Sequence, residues 1–356
     1  MRIVLLLLIS TSIFAQDSLW KSTPTINLSG FVDAYYSYDF NEPSNTSSRQ
    51  SFFYNHNRHN EFNINLALFQ VDLTHVKYRA RLALQSGTYA ADNYGAEQSV
   101  MRNMHESYVG IALDKKNKLW LDAGIFSSHL GFESAQSSDN YTLTRSFVAE
   151  SSPYFLSGAK LTYTANDYIE VAAIVTNGWQ RINRVSGNSL LSGGTQFTHT
   201  INKNIKYNWS TFIGTDDPDS TRRMMYFNNF YVEYKIGKVN VINGFDFGFR
   251  QSVKGSTSYD NWFLPVTIVQ FPIVENWSSA VRAEWIADED EVVISTPNQN
   301  GFTTAAFSLN VDYHPNDLYY FRVEGRYLNS SKAIFIKENG LTSTNLFITT
   351  SIAVKI

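Results

Sequence analysis

Apolar and polar residues alternate one by one along many long segments of this chain. Between Ile26 and Phe40 the even positions carry Ile, Leu, Gly, Val, Ala, Tyr, Tyr and Phe, whereas the odd positions include Asn27, Asp33 and Asp39. Successive side chains of a β-strand point to opposite faces, so a period of two predicts strands with one apolar and one polar face.

The length of these segments and the placement of their charges favour a membrane protein over a soluble β-sandwich, which also alternates. Soluble strands usually have about 5 to 6 residues, whereas a tilted strand needs about 9 to 11 to cross a bilayer. Most of the alternating segments reach that length, and Asp, Glu, Lys and Arg stay off their apolar face. Arg or Lys at a lipid-facing midplane position would cost about 2 to 4 kcal/mol, so this exclusion indicates lipid contact.

We predict an all-β fold, a transmembrane antiparallel up-and-down β-barrel of sixteen strands. The barrel must be closed, because an open sheet edge in lipid would leave backbone groups unpaired. The predicted strands are 24–40, 60–73, 76–87, 104–113, 119–126, 157–164, 168–176, 193–200, 205–214, 224–236, 239–250, 261–273, 277–287, 302–313, 318–328 and 343–356.

Two segments leave fourteen or eighteen strands as alternatives. Between Leu68 and Leu73 the apolar phase changes from even to odd positions, which predicts a bulge or an early turn. The segment from Gly193 to Thr200 is short and weakly patterned.

Short turns alternate with long polar loops along the predicted strands, and aromatic residues flank both. Bacterial barrels have short periplasmic turns and long external loops, so we predict that both termini are periplasmic. Aromatic girdles are expected at both membrane interfaces. The predicted girdle residues are Tyr163, Tyr168, Tyr234, Trp277, Tyr313 and Tyr319 near short turns, and Tyr36, Tyr38, Phe249, Trp262, Trp285 and Tyr327 near long loops.

The amino terminus has the pattern of a cleavable secretory signal. Arg2 precedes an unbroken apolar run from Ile3 to Ile9, and Ala15 is a small residue at a suitable cleavage point. The run is shorter than the roughly 20 residues that a membrane-spanning helix needs. We therefore predict a signal peptide over residues 1–15, a single barrel domain over residues 16–356, and a location in the outer membrane of a Gram-negative bacterium.

Composition excludes several other functions. The chain has 29 Lys and Arg against 32 Asp and Glu, so its net charge gives no reason to expect a nucleic-acid partner. It has no cysteine, which rules out disulfides, thiolate metal sites and a cysteine nucleophile. No cofactor is predicted, and the expected partners are outer-membrane lipid, lipopolysaccharide and small hydrophilic solutes.

A barrel of about sixteen strands is wide enough for an aqueous channel, so a pore is the predicted function. Charged residues of both signs on the polar face would select weakly among ions, although many would equally pair across strands and stiffen the wall. The pore-lining candidates are Lys77, Arg79, Arg81, Asp122, Lys160, Asp246, Arg250, Arg282, Glu284, Arg322, Glu324 and Arg326.

The third long connection, from Ser127 to Leu156, is the longest and carries Glu133, Arg145 and Glu150. Long loops in compact folds are usually functional or disordered. We predict that this loop folds into the barrel and narrows it, with these three charged residues as the constriction candidates.

The chain contains the stretches Gly30–Tyr38 (GFVDAYYSY), Leu82–Tyr89 (LALQSGTY), Leu121–Ile125 (LDAGI), Glu150–Tyr154 (ESSPY) and Asn177–Gln180 (NGWQ). These stretches resemble the OmpL-like β-barrel porin family that is common in Bacteroidetes. The resemblance covers most of the chain after the signal and implies an outer-membrane porin without a cofactor or defined catalytic residues.

Two other functions are compatible with parts of the sequence. A surface receptor or adhesin would use its external loops and conduct nothing, which conductance measurements would reveal. A lipid-face hydrolase would use His105 and Ser107, which have the spacing of outer-membrane phospholipases. The outward residues of the next strand, such as Leu121 and Ala123, offer no polar partner to orient the histidine, which disfavours catalysis.

Metal binding has weak support, and a homotrimer is left open. His56 and His59 have a ligand-like spacing, but they occur in a polar loop without a nearby third ligand, so solvated histidines are the favoured interpretation. The acidic runs at 216–219 and 288–291 would suit divalent ions bridging lipopolysaccharide, although exposed loop tips explain them more simply.

Overall fold

Sixteen antiparallel strands form one closed barrel in this computed structural model, which describes residues 18–43 and 48–356. Each barrel strand pairs with the next one along the chain, and the last closes the sheet on the first. The predicted fold class is confirmed. The predicted signal peptide lies outside the described residues.

The strand boundaries agree with the sequence pattern to within three residues. The barrel strands are β1 (Thr25–Asp39), β2 (Phe62–Thr74), β3 (Tyr78–Ser86), β4 (Met104–Ala112), β5 (Leu119–Ser127), β6 (Phe155–Thr164), β7 (Ile169–Thr176), β8 (Ser192–Asn202), β9 (Ile205–Gly214), β10 (Met225–Ile236), β11 (Val239–Gln251), β12 (Tyr259–Val274), β13 (Trp277–Asp288), β14 (Phe302–Asn316), β15 (Tyr319–Ser330) and β18 (Thr344–Lys355). Between the last two, β16 (Phe335–Lys337) and β17 (Gly340–Thr342) form a separate hairpin in the last loop.

All long connections emerge at one end of the barrel and all short turns at the other. Gly237 and Asn276 adopt positive φ in two of the short turns, where these residue types meet little steric hindrance. Strand β1 begins and strand β18 ends at the short-turn end. The long connections are L1 (40–61), L2 (87–103), L3 (128–154), L4 (177–191), L5 (215–224), L6 (252–258), L7 (289–301) and L8 (331–343).

In the described part of the chain, helical structure is confined to short segments in the loops and near residue 18. The α-helices are α1 (Thr88–Asn93) in L2 and α2 (Phe147–Glu150) in L3, and single 3-10 turns occupy Ser18–Lys21, Met101–Asn103 and Ser137–Asp139. Over residues 18–43 and 48–356, no helix has the length and apolar character needed to span a membrane.

The two segments that left the strand count open, in β2 and β8, both belong to strands of the barrel. β8 is a complete strand that pairs with β7 and β9. The predicted irregularity between Leu68 and Leu73 is displaced, because the register shift falls at Asn65, which has no partner between the pairs Asp33–Leu66 and Ala34–Ile64. Because of the bulge, the side chains of Leu66 and Leu68 point into the barrel. The outward apolar positions are therefore odd-numbered from Phe69 onward.

Most predicted girdle residues face outward. Tyr163, Tyr168, Trp277 and Tyr319 are exposed at the short-turn end, and Trp285 and Tyr327 are exposed towards the loops. The girdle prediction for Trp262 was wrong, because this indole is fully buried inside the barrel and stacks on Phe227 at 5.9 Å between ring centroids.

The barrel interior contains an apolar core in addition to its polar surface. Phe52 and Phe53 of L1 and Phe147 of L3 pack together with Phe302 and Phe347, and the ring centroids of Phe52 and Phe302 lie 4.9 Å apart. Strand β12 contributes inward apolar residues while its outward residues are also apolar. Loops L1 and L3 therefore cover one side of the inner wall and leave the other side accessible.

Candidate functional site: the barrel lumen

Loop L3 leaves the wall at the end of β5 and crosses the lumen to the opposite strands. Glu106 of β4 accepts a hydrogen bond from the Ser127 amide at 2.7 Å, which holds the loop where it begins. On the far side, the amides of Leu143 and Phe147 donate to Asn310 of β14 at 3.1 Å and to Glu284 of β13 at 2.6 Å. These contacts satisfy backbone groups of L3 that no regular structure would satisfy within the barrel.

Arginines of the wall bind the backbone of L3 and at the same time pair with carboxylates. Arg282 donates to the Thr144 carbonyl at 2.7 Å and to Glu324 at 2.8 Å. Arg326 donates to the Arg145 carbonyl at 2.9 Å and to Glu284 at 2.6 Å. A buried ion pair offsets its desolvation cost only when further hydrogen bonds satisfy the remaining donors of the arginine. The carbonyls of L3 accept those hydrogen bonds here.

Arg322 has a corresponding arrangement nearer the short-turn end. It pairs with Asp312 at 2.7 Å and also donates to the carbonyls of Ser137 and Asn140. The structure thus places five of the pore-lining candidates on the inner face but buried between the wall and L3. These are Arg282, Glu284, Arg322, Glu324 and Arg326.

Another group of pore-lining candidates lies on the inner face of β3 to β6. Arg79 pairs with Asp122 at 2.6 Å and its guanidinium lies 4.5 Å from the Trp120 ring centroid. Arg81 pairs with Glu106 at 2.8 Å and with Asp72 at 2.6 Å. The Lys160 ammonium lies 5.1 Å from the Phe126 ring centroid.

The remaining three candidates are dispersed. Lys77 is close to a short turn, where its ammonium donates to Asn117 at 2.8 Å. Asp246 is fully buried and accepts a hydrogen bond from Asn229 at 2.5 Å. Arg250 faces a cavity at the long-loop end, with its nearest carboxylate, Asp260, at 4.0 Å.

Among the residues that the structure describes, charged and polar side chains line two cavities in the lumen, one on each side of the returning segment of L3. The loop-side cavity, of about 500 Å³, is bounded by L2, L4, L5 and L7. The turn-side cavity, of about 360 Å³, lies between L3 and strands β3, β4, β9 and β10, and a pocket of about 140 Å³ shares Phe132 and Glu233 with it. Ser152 lines both of the larger cavities, so the two cavities adjoin at this residue.

The three constriction candidates occupy different positions in L3. Glu150 lines the loop-side cavity, and Glu133 lines the turn-side cavity. Arg145 is fully buried and donates to the carbonyls of Leu143 and Ala135, so it stabilises the loop from within. Burial raises the pKa of Glu150 to about 7 and also raises the pKa of Glu133.

Loop L1 was missed as part of the lumen. Arg49 is buried with its guanidinium 4.0 Å from the Phe347 ring centroid, and the Tyr54 amide donates to Glu150 at 3.0 Å. The adjacent Phe52 and Phe53 in an otherwise polar loop were the available sequence signal, because such rings seldom stay in water.

The interpretation of His56 as a solvated histidine was wrong. Its ring is fully buried in the lumen and lies 2.9 Å from Asp33 of β1, while the His59 ring accepts from the Asp39 amide at 3.1 Å. Within the part of the chain that the structure describes, no group of three or more His, Asp or Glu side chains is arranged to hold a metal ion. Asp216, Asp217 and Asp219 of the first acidic run each pair with an arginine.

The phospholipase-like spacing of His105 and Ser107 is not preserved in space. A bulge in β4 leaves His105 without a strand partner, and its ring bonds Gln85 at 2.9 Å on the inner face. Ser107 pairs in register with Leu82, whose side chain faces the lipid. The two side chains therefore lie on opposite faces of the wall.

A closed sixteen-strand barrel with an internal loop defines the class of outer-membrane channel proteins. A sequence model of the family described as "Putative beta-barrel porin-2, OmpL-like" matches residues 25–356, and the chain belongs to this family. The protein is thus an outer-membrane porin, a channel for small solutes. A search of curated protein sequences found no significant match.

Solved structures share the fold at low sequence identity. The anion-selective porin of Comamonas acidovorans superposes with a TM-score of 0.64 at 8% identity, covering 94% of this chain and 100% of that one. The channel DcaP of Acinetobacter baumannii gives 0.61 at 11% identity, covering 94% and 98%. The trimer form of OmpT of Vibrio cholerae gives 0.60 at 9% identity, covering 94% and 100%.

Proposed function

We propose that small hydrophilic solutes diffuse passively through the loop-side cavity, past Ser152, and on through the turn-side cavity. The observation that carries this proposal is that Ser152, a residue of an internal loop, lines both cavities, so the two spaces adjoin there. The wall behind L3 is filled by apolar side chains and buried ion pairs, which leaves the β3 to β10 side for the solute. The proposed lining therefore includes Arg81 and Arg250, whereas Arg282, Arg322 and Arg326 serve as anchors of L3.

The proposal includes an orientation and a processing step. Residues 1–15 are removed as a signal peptide, and residues 16–356 form one barrel domain with both termini in the periplasm. The short turns then face the periplasm and L1 to L8 face the exterior, as in other bacterial barrels. A homotrimer is proposed because the OmpT structure of Vibrio cholerae is a trimer form. No catalytic role is assigned.

Cysteine chemistry tests the position of the passage, because the chain contains no natural cysteine. Ser152→Cys keeps the size of the side chain and should conduct like the wild type in planar bilayers. Treatment with a methanethiosulfonate reagent should then lower its single-channel conductance by about half or more, since bulk is added where the solute would pass from one cavity to the other. Thr257→Cys, on exposed L6, is the matched control and should be modified without a change in conductance.

Either of two results would refute the passage. The first is an unchanged conductance of Ser152→Cys channels whose modification is verified by mass. The second is a Ser152→Cys channel that conducts while its thiol stays unmodified, because a residue in the passage must be accessible to the reagent. A purified wild-type protein that forms no channel at any voltage would instead support a receptor or adhesin.

A further inference from the structure

Carboxylates outnumber cationic side chains in the lining of the proposed passage. Nine carboxylate side chains and five cationic ones line the two cavities and the adjoining pocket. A solute in the lumen meets these groups directly, so the balance among them determines which charge it prefers.

Four of the five cations are already neutralised by carboxylates of the same lining. In the turn-side cavity, Arg81 pairs with Glu106 at 2.8 Å and Lys206 with Glu233 at 3.5 Å. In the loop-side cavity, the matching pairs are Arg181 with Asp216 at 3.0 Å and Arg223 with Asp217 at 2.8 Å. Arg250 is the fifth cation.

Three lining carboxylates have only neutral hydrogen-bond donors. Within residues 18–43 and 48–356, none of the ion pairs involves Glu97, Glu133 or Glu150. The other two, Asp92 and Asp139, pair with Arg58 and Lys355, which line neither cavity.

The neutral donors come from loops that meet in the lumen. Glu97 accepts from the Ile182 amide at 3.0 Å, and Glu150 accepts from the Asn55 amide group at 3.4 Å as well as from the Tyr54 amide. Glu133 accepts from the Ser146 amide at 3.0 Å. These bonds orient the carboxylates but leave their charge uncompensated at short range.

The three carboxylates succeed one another along the passage. Glu97 of L2 lies at the wall of the loop-side cavity, and Glu150 lies on the segment of L3 that divides the two cavities. Glu133 follows in the turn-side cavity and also borders the adjoining pocket. The arginines that act on Glu133 and Glu150 are fully buried behind the loop, and they donate to loop carbonyls and to Glu284 and Glu324. These arginines are Arg145, Arg282 and Arg326.

We infer that Glu97, Glu150 and Glu133 make this channel selective for cations, both inorganic monovalent ions and small organic ammonium solutes. The inference rests on the proposed passage. A carboxylate that forms no ion pair in a partly desolvated lumen attracts a passing cation more strongly than it would in bulk water, and it repels anions. Burial raises the pKa values of Glu133 and Glu150, because it disfavours their charged form by more than the surrounding arginines favour it.

The experiment measures reversal potentials of the full-length protein in planar bilayers under a KCl gradient. We expect a K⁺ to Cl⁻ permeability ratio above unity at about 0.1 M salt, falling as salt is raised to about 1 M, where the Debye length shrinks from about 10 to about 3 Å. The single variants Glu97→Gln, Glu133→Gln and Glu150→Gln should each lower the ratio, and the triple variant should bring it close to unity. Gln keeps the shape of the side chain and can still accept at one oxygen, so each variant retains one of the two accepting positions of the carboxylate.

The matched control is Glu289→Gln, which removes the same charge from an exposed position in L7 outside the passage lining. It should leave the ratio unchanged. A wild-type channel that conducts but prefers Cl⁻, or a triple variant that keeps the wild-type ratio, would overturn the inference while leaving the passage intact. Absence of conductance in the wild type would instead refute the proposed function itself.

Discussion

At the residue scale, side chains of one type on one face of the barrel have different roles that depend on what covers them. Arg282 and Arg326 face inward as Arg81 does, but L3 lies over the first two and buries them. Arg81 remains partly exposed in the turn-side cavity. Alternation identifies the inward face, whereas only the path of the loop separates anchors from groups that a solute can meet.

The cation selectivity of the channel should depend on pH through the carboxyl of Glu150. Its pKa is raised to about 7 by burial, so the carboxyl is mostly protonated at pH 5.5 and mostly charged at pH 8.5. Cation selectivity of the wild-type channel should therefore rise as pH increases through about 7, and Glu150→Gln should remove most of that rise. Reversal potentials measured across this range provide the test, and an equal pH response in the two proteins would contradict it.

Charged and titratable groups from several elements influence Glu150. They are Arg49 and Tyr54 of L1, Tyr89 of L2, Arg145 and Tyr154 of L3, Arg282 of β13 and Arg326 of β15. The arginines and the tyrosines keep their charge state between pH 5.5 and 8.5, so the response assigned to Glu150 is distinct from theirs. Because the folded state binds the Glu150 proton more tightly than the unfolded chain does, stability also decreases as pH rises towards and through about 7.

At the element scale, L3 is held by its backbone more than by its side chains. Wall residues of β13, β14 and β15 bond loop amides and carbonyls, which leaves the loop sequence free to vary while its path is retained. Strand β12 supports the same loop with apolar residues on its inner face. A run of apolar residues such as Trp262–Val269 indicates a strand covered on both faces, and this signal was available in the sequence.

Substitution of Arg282 should show how strongly the wall arginines hold L3 in place. Arg282→Met deletes the bonds to Thr142, Thr144 and Glu324 and leaves Glu324 buried without the cation that pairs with it. The free energy of unfolding should fall by about 3 to 5 kcal/mol, the usual cost of breaking a buried pair. The released loop should also raise the open-channel current noise and the mean conductance.

Urea titration of the folded barrel in lipid vesicles and single-channel recording measure the two effects. Arg222→Met is the control, because Arg222 pairs with Asp219 at the surface of L5, where such pairs contribute about 0 to 1 kcal/mol. Equal effects of the two variants on stability and on current noise would show that Arg282 does not anchor the loop.

At the scale of the whole molecule, closure of the sheet and the separation of turns from loops define two ends of the barrel. The antiparallel pairing of β1 with β18 extends from Phe31–Lys355 to Asp39–Phe347, so the hydrogen bonds between the first and last strands close the barrel. The backbone groups of every barrel strand therefore find partners within the wall, as a lipid environment requires.

The proposed orientation predicts which end can be labelled on living cells. Thr257→Cys in L6 should react with a bulky maleimide polymer on intact cells, whereas Lys116→Cys in the short turn between β4 and β5 should react only after the outer membrane is permeabilised. The polymer must be too large for the pore. Labelling of Lys116→Cys on intact cells, with Thr257→Cys protected, would reverse the orientation.

The sequence alone determined the wall of this protein. A period of two is set locally by strand geometry and by the difference between lipid and water, so the strand boundaries and the facing of most wall residues followed from the residues in order. Segments such as Gly193–Thr200 were weak only because their patterns are short, and the closed barrel supplied their partners.

Only the tertiary structure decided what occupies the lumen. The burial of His56 and Trp262, the cover over Arg282, and the position of Ser152 between two cavities all depend on contacts between residues far apart in the chain. Local periodicity carries no information about such contacts, because a polar loop that folds inward has the same pattern as one that stays in solvent. For that reason the inward face was predictable from the sequence, but the part of it that a solute can reach was not.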